Sequence, residues 1–156
     1  MNTLEPMGIK GRFRLVCLDK DGKLKFDTGF QPNIITNAGK AQIALLAGDA
    51  SAVPFTYLAV GTSNTATAAS QTALGAEITD SGLARAAATV SRVTTTVTND
   101  TLQLYYSFTV TGTKSVEEIG MFNASSSGTM LGRALTGTKS LVNGDILQIT
   151  YKVAFA

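Results

Sequence analysis

The side chains that most often move protons or hold transition metals are nearly absent from this 156-residue chain, which has no histidine and one cysteine, Cys17. That excludes a His-based triad, a Cys–His pair, a zinc finger and any disulfide within the chain. A serine nucleophile would need lysine as its base, and no Ser-x-x-Lys string occurs. The string Asp19-Lys20-Asp21-Gly22 begins like a calcium loop. Its glycine comes two places too early, however, and the twelfth position is Phe30 where the loop requires Glu. It reads as a hairpin turn, with Asp-Gly supplying the positive φ that tight hairpins use. Gly39-Lys40 is not a phosphate loop, because Ala41 stands where Ser or Thr would hold magnesium. Glu117 and Glu118 are adjacent, and neighbouring side chains on a strand point to opposite faces, so they cannot flank one glycosidic bond. Ile119, Met121 and Phe122 make that strand apolar on both faces, so one of the two carboxylates is expected to be partly buried against an arginine. Arg133 on the next strand is the nearest candidate. No catalytic, metal-binding or cofactor-binding residue emerges, and the chain is not expected to be an enzyme or to carry a cofactor.

The elements that would position these groups are mostly strands. Arg12 to Leu18 alternates with Phe13, Leu15 and Cys17 on one face, and Leu24 to Phe30 repeats the pattern with Leu24, Phe26 and Phe30. Asn37 is placed to cap a helix of about ten residues ending at Gly48. FTYLAVG reads as a buried strand. The uncharged TSNTATAASQTALGAE after it reads as a polar loop leading into one helical turn capped by Ser70. Thr101 to Thr111 keeps an unbroken period of two, with Leu102, Leu104, Tyr106, Phe108 and Val110 on one face. Arg85 to Thr98 reads as its hairpin partner across an Asn99-Asp100 turn, with a phase slip that predicts a bulge near Arg92. The strands VEEIGMFNA, TMLGRAL and ILQITYKVAFA complete the chain, separated by the SSSG and NGD turns. The expected fold is mainly β, an antiparallel β-sandwich of about seven or eight strands with one or two short helices in the first half. Residues 1–10 read as an extended N-terminal arm and 11–156 as a single β-sandwich domain.

Hydrophobic residues make up 44% of the chain and charged residues 15%, with a net charge of +2, so disorder is excluded and a broad nucleic-acid surface is not expected. A basic stripe is possible only within the first forty residues, which hold seven of the 13 Lys and Arg. No apolar run approaches the roughly 20 residues that span a bilayer, and Met1 to Gly8 lacks the pattern of a cleaved signal, so no membrane partner is expected. The glycosylation sequons at Asn99 and Asn123 are then chance matches in a chain with 22 threonines.

Five blocks follow one another in order: NIITNAGKAQIALLAG, FTYLAVGTSNT, TALGAEI, VEEIGMFNASSSGTMLGRAL and NGDILQITYKVAFA. Together, from Asn33 to Phe155, the set resembles a structural domain of tailed-bacteriophage virion proteins, those described as tail-fibre, tail or minor structural proteins. The resemblance implies a non-enzymatic virion component, made in the host cytoplasm, that acts by assembling with copies of itself and with other virion proteins. No repetitive stalk reads on either side of the domain, so a small fibre adaptor, a tail or baseplate subunit or a head decoration protein is expected. Candidate interface residues are Leu4, Pro6, Met7 and Ile9 of the arm and Thr62, Ser63 and Asn64 of the neutral loop. The alternative is a carbohydrate-binding module for a cell-surface glycan, built on Tyr57, Tyr105 and the loop from Thr62 to Ser70. A chain without tryptophan is poorly equipped for that role.

Overall fold

The computed structural model describes residues 8–155. Within them the elements run β1 (Ile9–Leu18), β2 (Leu24–Asp27), β3 (Gln31–Pro32), β4 (Ile34–Ile35), α1 (Asn37–Gly48), β5 (Tyr57–Gly61), β6 (Ala86–Ala87), β7 (Thr89–Val93), β8 (Thr101–Thr109), β9 (Lys114–Phe122), β10 (Met130–Leu141) and β11 (Ile146–Phe155). The strands form two antiparallel sheets, the first in the order β2-β1-β11-β8-β7 with β3 also on β1, the second in the order β4-β10-β9-β5-β6. They stack as a β-sandwich of the expected class. Seven of the strands are five residues or longer; the other four are short edge pieces.

Period-two alternation builds the core. Register across the first sheet sets Phe13 opposite Tyr151 and Tyr151 opposite Leu104, then Cys17 opposite Leu147 and Leu147 opposite Phe108. These inward rows meet Leu58, Val60, Val116, Ile119 and Met121 of the second sheet in one buried cluster. Ala59 on β5 and Phe122 at the end of β9 instead join Leu74 and Met130 in a second cluster on the outer face of the second sheet. That sheet is therefore covered on both sides, as the two-faced apolar character of VEEIGMF requires.

Several local readings are corrected. The helix is capped by Thr36, whose Oγ1 accepts from the Gly39 amide at 2.8 Å while donating to the Met130 carbonyl at 2.6 Å; Asn37 is the first helical residue, and the helix continues through Gly48 to a cap at Asp49. A buried threonine that serves both a helix end and a strand outcompetes an exposed asparagine. Leu24 to Phe30 yields only the four-residue β2, because Asp27 accepts from the Gly29 amide at 2.9 Å and turns the chain, leaving Leu24 and Phe30 exposed. Arg85 to Thr98 is not one strand. Ala86 and Ala87 pair with β5 in the second sheet, the chain crosses at Ala88, and β7 then pairs with β8 in the first sheet. The β7–β8 register runs unbroken from Thr89–Tyr105 to Val93–Thr101, so the phase slip marks this change of sheet and there is no bulge at Arg92. No helical turn forms after Ser70. β1 begins at Ile9, inside the stretch read as an arm, with Ile9 opposite Phe155 and packed against the core.

Candidate functional site

The outer face of the second sheet is where sequence motifs converge. On β9 the outward positions are Glu118, Gly120 and Phe122, and on β10 Arg133 reaches the same face. Glu118 and Arg133 are both fully buried, and Arg133 Nε donates to Glu118 Oε2 at 2.7 Å. The carboxylate also accepts from the backbone amides of Gly75 at 2.9 Å, Ala76 at 2.8 Å and Ser63 at 3.3 Å. From the other side of the ion pair, Arg133 Nη1 donates to the Thr65 carbonyl at 2.8 Å and to Gln71 Oε1 at 3.1 Å. A buried charge pair is costly unless its remaining hydrogen-bonding capacity is met, and the loop from Thr62 to Ala76 supplies partners for the Glu118 carboxylate and for Arg133 Nη1, while Arg133 Nη2 is buried with no hydrogen-bond partner among the described residues. The sequence left open which of Glu117 and Glu118 meets Arg133; it is Glu118, and the pair is fully rather than partly buried.

The loop is thereby fixed along the sheet. Thr62 N donates to Ala76 O at 2.9 Å and Ile78 N to Val60 O at 2.9 Å, which carries the returning chain beside β5. The Gly75 and Ala76 amides are held by Glu118, which is why no helical turn forms there. Gly61 is required at the pivot, since a Cβ at that position would lie 2.3 Å from Glu118 Oε1 and 2.6 Å from Ala76 O. Leu74 drops from the loop onto Ala59, Phe122 and Met130.

A second clamp holds the turn after β9. Arg85 pairs with Glu77 through Nε at 2.9 Å and Nη2 at 2.6 Å, and its Nη1 donates to the carbonyls of Ala124 at 2.9 Å and Ser127 at 2.8 Å. Its guanidinium lies 3.6 Å from the centre of the Phe122 ring. Sequence reasoning assigned Arg85 to a strand and missed this clamp; an Arg and a Glu eight residues apart in a loop carry no periodic signal. The Asp19 turn is a hairpin turn as read, with Asp19 Oδ1 accepting from the Asp21 and Lys23 amides at 2.9 Å each.

Of the candidate interface residues, Thr62 and Asn64 are exposed on the fixed loop and Ser63 is half-buried, its amide on Glu118. Ile9 is on β1, and Leu4, Pro6 and Met7 lie outside the described residues. The two tyrosines of the glycan reading are not brought together. Tyr57 packs against the outer cluster of the second sheet, whereas Tyr105 is exposed on the outer face of the first. Glu118 is saturated by Arg133 and amide donors, so it is a structural anchor and has no free lone pair for proton transfer.

The family model described as Podophage GP4 fiber I protein gp80 matches residues 35–153. Neither the curated proteins nor the solved structures contain a match to the chain.

Proposed function

The chain belongs to the podophage GP4 fiber I protein gp80 family, a family of phage fibre proteins, and from that premise we propose that it works by assembly and not by catalysis, contacting copies of itself and other proteins of the particle. Family membership makes it a structural virion component. The observation that carries the proposal is the treatment of the loops on the second sheet. The loop from Thr62 to Ala76 is neutral and rich in hydroxyls, yet it is held from beneath by a buried ion pair. A loop held this way presents Thr62 and Asn64 in one shape, and a preformed surface loses little entropy when it docks. Contacts of this kind suit repeated copies, which demand self-complementary or ring-closing surfaces.

The segment before β1 supplies the second proposed contact. Leu4, Pro6 and Met7 are apolar and precede a strand that starts at Ile9. Docked on a neighbouring subunit, their burial would offset the ordering of the segment. Because Ile9 is paired with Phe155, the deletion that isolates this contact ends at residue 7 and spares β1. The test is assembly of the full chain against the 1–7 deletion and an Asn64→Lys variant, read by light-scattering mass and by copy arrangement in purified particles. Loss of incorporation with an unchanged melting midpoint is expected from each. Normal incorporation of both, or single copies in the particle touching no sister subunit, would overturn the proposal.

A further inference from the structure

We propose that the outer face of the first sheet binds an acidic saccharide unit, a pyranose ring carrying a carboxylate, in a hollow walled by Lys10, Arg12, Phe30, Thr95, Thr96 and Lys152. This reaches beyond the assembly role and uses a different face of the molecule. Lys10, Arg12 and Phe30 all precede residue 35, outside the family match.

The charge arrangement carries the inference. Arg12 and Lys152 are direct cross-strand partners in the β1–β11 register. Like charges facing each other across a strand pair are destabilising. Among the described residues, Lys10, Arg12 and Lys152 take part in no ion pair, and the contact of Lys152 with the Phe30 ring brings no negative charge to them. By contrast Arg14, the next outward residue on β1, is paired with Asp27. The nearest acid on the adjoining loop is Asp100, and its oxygens are engaged. Oδ1 accepts from the Thr95 amide and the Thr101 hydroxyl at 2.8 Å, and Oδ2 from the Thr96 and Val97 amides at 2.8 Å. Three cations thus line a hollow of about 270 Å³ that no carboxylate lines among the described residues.

The ring wall and the hydroxyls narrow the ligand class. Phe30 is 38% exposed, and Lys152 Nζ lies 4.8 Å from the ring centre, which steadies the ring as a wall of the hollow. An apolar ring face stacks on such a wall while its carboxylate meets the guanidinium of Arg12 in a charge-assisted hydrogen bond. Thr95 and Thr96 line the same hollow; the Thr95 hydroxyl is shared with Thr101 Oγ1 at 2.6 Å, which leaves the Thr96 hydroxyl as the partner for a ring hydroxyl. The hollow is smaller than the roughly 300–1,000 Å³ pockets that enclose drug-sized ligands, so it takes one ring of a longer chain. A nucleic acid is the poorer fit. Single strands are bound by grooves that track many phosphates past successive aromatic platforms. Here there are three cations, one ring and a net charge of +2.

The test titrates the full-length chain at physiological salt with oligomers of galacturonate, glucuronate and sialic acid, with neutral malto-oligosaccharide, and with oligothymidylate of matched charge. Saturable binding to at least one acidic glycan is expected, with no binding to the neutral one. Phe30→Leu and Arg12→Ala are each expected to weaken it about tenfold, with the melting midpoint unchanged for the first and unchanged or raised for the second, since Arg12→Ala relieves like-charge apposition. Silence across the acidic panel would overturn the proposal. So would oligothymidylate binding as tightly as the best glycan, or a Phe30→Leu variant that binds like the wild type, because either result reduces the site to unspecific charge attraction. None of these outcomes bears on assembly.

Discussion

Glu118 and Arg133 show how much one buried pair can govern. Replacing such a pair by apolar residues can be harmless, but removing one partner strands a charge among groups arranged to receive its opposite. Glu118→Ala is therefore expected to lower unfolding free energy by about 3–5 kcal/mol. Glu118→Gln should lose less, since its amide oxygen can still accept from Gly75 or Ala76. Denaturant unfolding measures both, and amide exchange supplies a local readout: the Gly75 and Ala76 amides should lose protection in Glu118→Ala before the strands do. A loss under about 1 kcal/mol would mean that water reaches the pair and that the loop is held by something else. This pairing was legible because β9 reads apolar on both faces, which forces the question of where its carboxylate goes. The Arg85 clamp was illegible because Glu77 lies eight residues away in a loop with no periodic signal, and its other partners are carbonyls of a turn, which every residue offers.

At the scale of elements, the informative position is Gly39 in the first turns of α1. An exposed helical glycine replaced by alanine normally gains about 1 kcal/mol. Here the sign reverses. A Cβ at Gly39 would lie 2.5 Å from the Leu131 carbonyl oxygen and 2.8 Å from its Cα, so the helix would have to lift from β10. Gly39→Ala is expected to destabilise by about 1–3 kcal/mol in thermal or denaturant unfolding. A stabilised variant would show that α1 is not seated on β10. The lift would also break the double duty of Thr36, which holds the Gly39 amide and the Met130 carbonyl together. Helix and strand are thus coupled through two adjacent backbone contacts. Helix periodicity alone places α1 correctly to within a residue or two, but it cannot say which face must approach a strand at backbone distance.

The whole molecule should respond to pH at both extremes and little between them. Arg14 and then the Gly29 amide hold Asp27 down to about 2, and Lys114 lowers Asp80. For groups depressed in the folded state, stability is complete above the unfolded carboxylate value near 3.8 and is lost as pH falls through the folded value. On the alkaline side burial pushes the Cys17 thiol from 9.0 up to about 11, so the unfolded chain releases that proton first and stability falls as pH rises between those values. A melting midpoint that is flat from about pH 5 to 8, declining below about 4 and above about 9, is expected by calorimetry; a maximum confined to neutral pH would contradict it. With no histidine in the chain, no imidazole titrates in the middle of that range. The mainly β class, the inward rows of β1, β8 and β11 and the need to bury one carboxylate of β9 against an arginine were determined by residue order, because composition and period two act locally; the loop that covers Glu118 and Arg133 was not. What only the tertiary structure decided was how distant segments meet. The crossing from one sheet to the other at Ala88, the loop laid on the second sheet and the cations gathered from β1 and β11 beside Phe30 join residues far apart in sequence. Such encounters are fixed by which surfaces exclude water together, a property of the packed sandwich that no local pattern encodes.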